Sequence, residues 1–267
     1  VARPGSGPVI EGADKITAAY SKALGMPVEI YVARDYADLI DAQTSGRIEY
    51  AVHTSLSYAT AALQCACVTP LVAPVSEDGT AGIRSALIAR SDGPRRANDI
   101  AAHKVAFGPP DSISGALLPQ SEFELNGKPF TGAEAFLTPV ANESDALKML
   151  ANGTASAMFG FLPSKRYENA KTGGTLDELA SLGLDDAEVL WTSDFVRYGP
   201  HAVRMSLPSE ARKALVDFLT DLHDSDEAVY DLLERRFGGG YVAVTPDEYL
   251  GAMALARSIA TPRQGSQ

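Results

Sequence analysis

Val105-Ala-Phe-Gly-Pro-Pro-Asp-Ser-Ile-Ser-Gly-Ala-Leu-Leu-Pro119 reads as a short buried strand, a tight loop and the start of a helix. The apolar run from Lys104 to Phe107 enters a turn of Gly108, Pro109 and Pro110, and Asp111-Ser-Ile-Ser-Gly115 then leads into a helical pattern. The first amides of a helix have no partner within it and carry the positive end of its dipole, so hydroxyl residues placed there suit a ligand rich in oxygen. Ser112 and Ser114 add side-chain donors, and Gly115 allows close approach to the backbone. Taken alone, Ser-x-Ser is equally an ordinary helix N-cap.

Working outward, the flanking chain repeats the same build. Val28 to Ala33 is expected to be a strand, followed by a helix capped by Asp35 with Gly46 just past its end. Glu49 to His53 is the next strand and Leu56 to Gln64 the next helix, with Val68 to Val75 and Ser85 to Arg90 as central strands. After Lys104 the pattern restarts: a strand over Phe136 to Ala141, a helix over Ser144 to Asn152 and a strand over Ala155 to Phe161. Thr175-Leu-Asp-Glu178 has capping-box spacing. Beyond Trp191, a strand ends near Leu207, and helices are expected over Pro208 to His223, Glu227 to Phe237 and Thr245 to Ile259. The last opens on Thr245-Pro-Asp-Glu248, a capping box with proline at the first helical position. These elements describe an α/β protein of two similar lobes.

At 267 residues, with 45% hydrophobic and 21% charged residues, the chain has the composition of a soluble globular protein with a substantial core. A net charge of −11 opposes nucleic-acid binding, and an anionic ligand must then be held by local dipoles against the global field. No apolar run reaches the roughly 18–20 residues of a membrane span.

The motif Asp111-Ser-x-Ser-Gly-x-x-x-Pro119 after a buried strand resembles the signature of the phosphonate/phosphite/phosphate solute-binding proteins of ABC importers, Asp-Pro-x-Ser-Thr-Ser-Gly-x-x-x-Pro. Gly25-Met-Pro-Val-Glu29, Asp35-Tyr-Ala-Asp-Leu-Ile40 through Gly46, Tyr58-Ala-Thr-Ala61 and Trp191-Thr-Ser193 through Arg204 follow in that family's order. The resemblance implies a two-lobed type II periplasmic binding protein fold with a ligand cleft between the lobes. It implies lobe one from residues 1–84 and 196–267 and lobe two from 85–195, with two crossings. It also implies a periplasmic location, with a leader and the start of a first strand absent before Val1-Ala-Arg-Pro4, and no enzymatic activity or cofactor.

By the same resemblance Tyr36, Ser112 and Ser114 stand at pocket positions. Ile113 stands at the usual threonine, Ile83 at a common aromatic, Asn142 at the usual histidine and Gly199 at a frequent aspartate. The loss of that carboxylate disfavours an aminoalkylphosphonate. Arg84 and Arg204 are candidate oxyanion contacts, and Tyr167, Tyr198 and Trp191 are candidate lining or packing residues. His53 is the histidine best placed to reach the cleft, and none of His53, His103, His201 and His223 has metal-site spacing.

Cys65 and Cys67 are the only cysteines. In an extended chain their Cα atoms would lie about 6.5–7 Å apart, at or beyond the usual disulfide limit, so a bridge between them would be strained and readily reduced, and one or two potentially free thiols are expected. Thiolates are soft ligands for trivalent arsenic. The sequence is accordingly similar to periplasmic arsenite-binding proteins on the phosphonate-binder scaffold, which signal to a sensor histidine kinase. On this reading Cys67, with Cys65 second, contacts arsenite beside Ser112, Ser114 and Tyr36. The alternatives are a phosphite, phosphate or phosphonate ligand with an ABC permease as partner, and a cysteine-dependent enzyme with Cys67 as nucleophile. Buried packing is the ordinary fate of such cysteines.

Overall fold

The computed structural model describes residues 10–165 and 173–261, so the Tyr167 expectation lies outside the described residues. The chain divides into two compact units: residues up to Ala81 with Arg197–Met253, and Gly82–Val196 with the residues from Ala254.

The first unit begins with helix α1 (Ala13–Leu24), then α2 (Tyr36–Thr44), strand β1 (Tyr50–Val52), α3 (Ser55–Cys65) and β2 (Val68–Pro74). Asp35 caps α2 by accepting the Asp38 amide, and Thr54 forms a capping box with Ser57 at α3. Val28 to Ala33 is not a strand, contrary to the expectation from its apolar alternation. Val28 and Ile30 still pack against the core, but the segment joins no ladder among the described residues.

Before the first unit resumes, the second supplies β3 (Gly82–Ala89), a 3-10 turn (Ala97–Ala102), β4 (Val105–Phe107), a π turn (Ile113–Leu117) and α4 (Leu118–Glu122). A small hairpin of β5 (Glu124–Leu125) and β6 (Lys128–Pro129) precedes β7 (Leu137–Pro139), α5 (Glu143–Ala151), β8 (Ala157–Ser164), α6 (Thr175–Ser181), β9 (Glu188–Thr192) and β10 (Val196–Arg197). The capping box expected at Thr175 does not form. Gly174 takes the cap position, and the Thr175 hydroxyl instead accepts the Phe161 amide at 2.9 Å. The rest of the first unit is β11 (His201–Arg204), α7 (Ser209–Ser225), α8 (Glu227–Leu233), β12 (Tyr241–Ala243) and a 3-10 turn (Pro246–Tyr249); it runs into α9 (Leu250–Ala260), whose residues from Ala254 fall to the second unit. The Thr245–Glu248 capping box forms as its spacing requires.

Each unit has its own sheet. In the first the order is β1-β11-β2-β12, with every neighbouring pair antiparallel. Its faces are covered by a core around Tyr20, Val72, Leu219 and Tyr230, and by another around Ile40, Tyr58, Ala73 and Tyr249. In the second the order is β10-β3-β8-β4-β7, with β9 also on β3. Strands β8, β4 and β7 are mutually parallel, so their carboxyl ends share one edge. One face packs Ile88, Leu150 and Met158, and the other an aromatic group of Phe107, Phe123, Phe130, Phe159 and Trp191. Trp191 is therefore core packing.

Candidate oxyanion-binding turn

In open α/β sheets, ligand sites lie at the carboxyl ends of strands. The segment after β4 occupies that edge. The helix there starts as a π turn, with Ser112 carbonyl accepting from Ala116 (3.1 Å) and Leu117 (2.9 Å), and Ile113 carbonyl from Leu118. Ser112 is the cap: its Oγ accepts the Gly115 amide at 3.0 Å. Opening a turn by one residue is a frequent feature of functional sites.

Pro119 explains how the turn is held. Without an N–H it cannot serve the carbonyls four and five residues back, those of Gly115 and Ser114. Both are used to anchor the loop. Gly108 amide donates to Gly115 carbonyl at 3.1 Å, and the Ser85 hydroxyl on β3 donates to Ser114 carbonyl at 2.6 Å. Gly108 and Gly115 face each other so closely that a Cβ on Gly108 would lie 3.0 Å from Gly115 Cα. Ser85 is itself positioned by Ser193, whose Oγ accepts the Ser85 amide at 2.9 Å. The amides of Ile113 and Ser114 belong to the first turn, which a helix cannot satisfy from within. The Ser112 amide is already given to the Pro109 carbonyl at 2.9 Å, so the turn offers the hydroxyls of Ser112 and Ser114 and the amides of Ile113 and Ser114 as donors.

Ser85 and Ser193 escaped the sequence reading. The available signal was a lone hydroxyl inside the apolar run of β3. Asn142 caps α5, just after β7, at the same edge of the sheet. Its Oδ1 accepts the Asp145 amide and its Nδ2 donates to the Asp145 carboxylate, both at 3.0 Å.

The candidate cations serve the fold. Arg84 donates from Nη1 to Ser193 carbonyl at 2.8 Å and lies over the Phe195 ring. Arg204 donates from Nη1 to the carbonyls of Gln43 (2.6 Å) and Thr44 (2.8 Å), at the negative end of α2.

In the first unit Tyr36 opens α2 and is exposed. His53 is buried: Nε2 donates to Gln43 Oε1 at 2.7 Å, because Gln43 Nε2 is already given to Ala202 carbonyl. Nδ1 meets Ser57 Oγ at 3.0 Å. Burial lowers the His53 pKa to about 4, so the ring is neutral at pH 7 and structural. His201 is lowered to about 3, first by burial and then by the charge of His53, and its Nδ1 bonds the Tyr50 hydroxyl. Tyr198 stacks on Phe237 at 4.0 Å.

Gly199 leaves no room for a side chain: a Cβ there would sit 2.0 Å from the His53 carbonyl oxygen. One expectation needs correction. Cys65 and Cys67 are not free thiols but a disulfide with Cα atoms 5.0 Å apart. The chain is not extended here: α3 ends at Cys65 and Ala66 turns left-handed (φ 47°, ψ 29°), which brings the two within bonding range.

The profile of the family described as ABC transporter, phosphonate, periplasmic substrate-binding protein matches residues 8–249. The chain belongs to that family. It is therefore an α/β periplasmic solute-binding protein and not an enzyme. Among relatives of this phosphonate-family binding protein is the phosphate-import protein PhnD of Mycolicibacterium smegmatis, 27% identical over 88% of this chain and 73% of its own. A Xanthomonas citri protein solved bound to ATP superposes with a TM-score of 0.63 at 16% identity, covering 94% of this chain and 92% of that one. A binding protein component of an ABC phosphonate transporter from Pseudomonas aeruginosa gives 0.54 at 19% identity, over 95% and 84%. Both likenesses are of fold.

Proposed function

We propose that this binding protein delivers phosphate or a small phosphorus oxyanion, such as phosphite or a simple phosphonate, to an ABC permease. The observation that carries the reading is the Ser112–Gly115 turn, with amide and hydroxyl donors at a helix start. Its own carbonyls are tied back by Ser85 and Gly108. Such a turn binds tetrahedral oxygens without a cationic side chain, as a net charge of −11 demands. Ile113 contributes its amide where a threonine would add a hydroxyl. Asn142, at the same edge of the second sheet, is a further hydrogen-bonding group for the ligand. The phosphate-import relative supports this ligand class.

Arsenite, with a sensor kinase as partner, is the weaker reading because it requires a sulfur ligand and the two sulfurs are bonded to each other. Titration calorimetry of the oxidised protein with phosphate, phosphite, methylphosphonate, an aminoalkylphosphonate and arsenite tests the choice. Saturable one-to-one heat with a phosphorus oxyanion, lost in Ser114→Ala, is expected. Heat with arsenite alone, appearing only after reduction, overturns the reading.

A further inference from the structure

A disulfide stabilises chiefly by closing a long loop in the unfolded chain, and a bridge across one intervening residue closes almost none. Cys65–Cys67 is thus a poor staple, and it sits partly exposed with Ala66 open to solvent. Its two sulfurs have unlike surroundings. Cys65 ends α3, at the negative end of an eleven-residue helix, and its Sγ accepts, among the described residues, the Cys67 amide at 3.2 Å. Arg204 Nη1 lies 3.6 Å from Cys67 Sγ, with Glu49 4.0 Å from Arg204 Nε on its other side. A guanidinium stabilises a departing thiolate, whereas a helix carboxyl end opposes one.

We propose that the Cys65–Cys67 bridge is a thiol-exchange site for small thiols and dithiols, with Cys65 as the attacked sulfur and Cys67 as the leaving thiolate. An incoming thiolate bonds Cys65 Sγ, the bond between the two protein sulfurs breaks, and its electron pair stays on Cys67 Sγ beside Arg204. With a dithiol, the second thiolate attacks the reagent sulfur of the mixed disulfide and expels Cys65, which takes a proton from water. The reagent leaves as a cyclic disulfide, oxidised by two electrons, and the protein holds two thiols. The site lies in the first unit and does not depend on the Ser112 turn or its ligand.

The test treats the folded full chain with limiting glutathione at pH 7, quenches in acid and locates the adduct by fragmentation mass spectrometry. Glutathione on Cys65 with a free Cys67 is expected, in excess over the reverse adduct by about tenfold or more. Arg204→Gln should slow exchange and reduce that ratio, and Arg204→Lys should restore both. Because Arg204 also caps α2, a second comparison avoids it: the lone Cys67 of Cys65→Ser should react with iodoacetamide faster than the lone Cys65 of Cys67→Ser. Equal adducts, the reverse preference, or exchange only in urea-unfolded protein would overturn the assignment.

Discussion

The Ser85 hydroxyl lies 2.6 Å from the carbonyl of Ser114 and donates to it, tying the oxyanion turn to strand β3 of the second sheet. Ser85 is fully buried. Ser85→Ala leaves that carbonyl without its partner, which costs about 1–3 kcal/mol. Urea denaturation should show a lower midpoint at unchanged slope, and calorimetry a weaker oxyanion affinity. An unchanged affinity would mean that the turn holds its shape without the anchor.

Gly199 touches His53 where no side chain fits. Gly199→Asp should destabilise the first unit by about 3 kcal/mol or more, since the clash is with backbone. Urea midpoints of Gly199→Asp and Gly199→Ala should fall together. If only the aspartate variant suffers, the cause is charge burial and not the close approach.

Arg197 and Glu248 form a buried pair, Nη1 to Oε2 at 2.9 Å, with side chains 6% and 11% exposed. Glu248 also accepts the Thr245 amide in the capping box, so the pair braces the 3-10 turn before α9 within the first unit. Arg197→Met strands a buried carboxylate and should cost about 3–5 kcal/mol, whereas Arg197→Met with Glu248→Leu should recover most of that. A double variant as weak as the single would show that the capping box, and not the charge, carries the stability.

His53 and His201 have folded pKa values lowered to about 4 and about 3. The unfolded chain binds protons near 6.5 that the folded chain refuses, so stability is full above pH 6.5 and falls as pH drops toward 4. Between pH 6.5 and 5 each histidine should remove about 1.5 kcal/mol. Chemical denaturation across that range should show the loss, and His53→Gln should make the profile shallower. A profile unchanged by the variant would place the proton uptake elsewhere.

The short-range features were legible in the chain itself. Asp35 before α2, Thr245 and Glu248 around Pro246, and the strand, turn and helix start from Val105 to Pro119 follow from periodicity and from groups a few residues apart. Such signals need no knowledge of the rest of the fold. The family signature in that last stretch also pointed to the fold and to a ligand rich in oxygen.

Partners distant in sequence were decided by packing alone. Arg204 looked like an anion contact, but folding sets it against carbonyls about 160 residues away at the end of α2. Thr175 had capping-box spacing, but the Phe161 amide claimed its hydroxyl. Cys65 and Cys67 are neighbours in the chain, yet their bond required Ala66 to turn left-handed where α3 ends, a conformation that neither composition nor spacing announces. Sequence determines which groups each segment offers; the tertiary structure decides which of them are already spent on one another and which remain for a ligand.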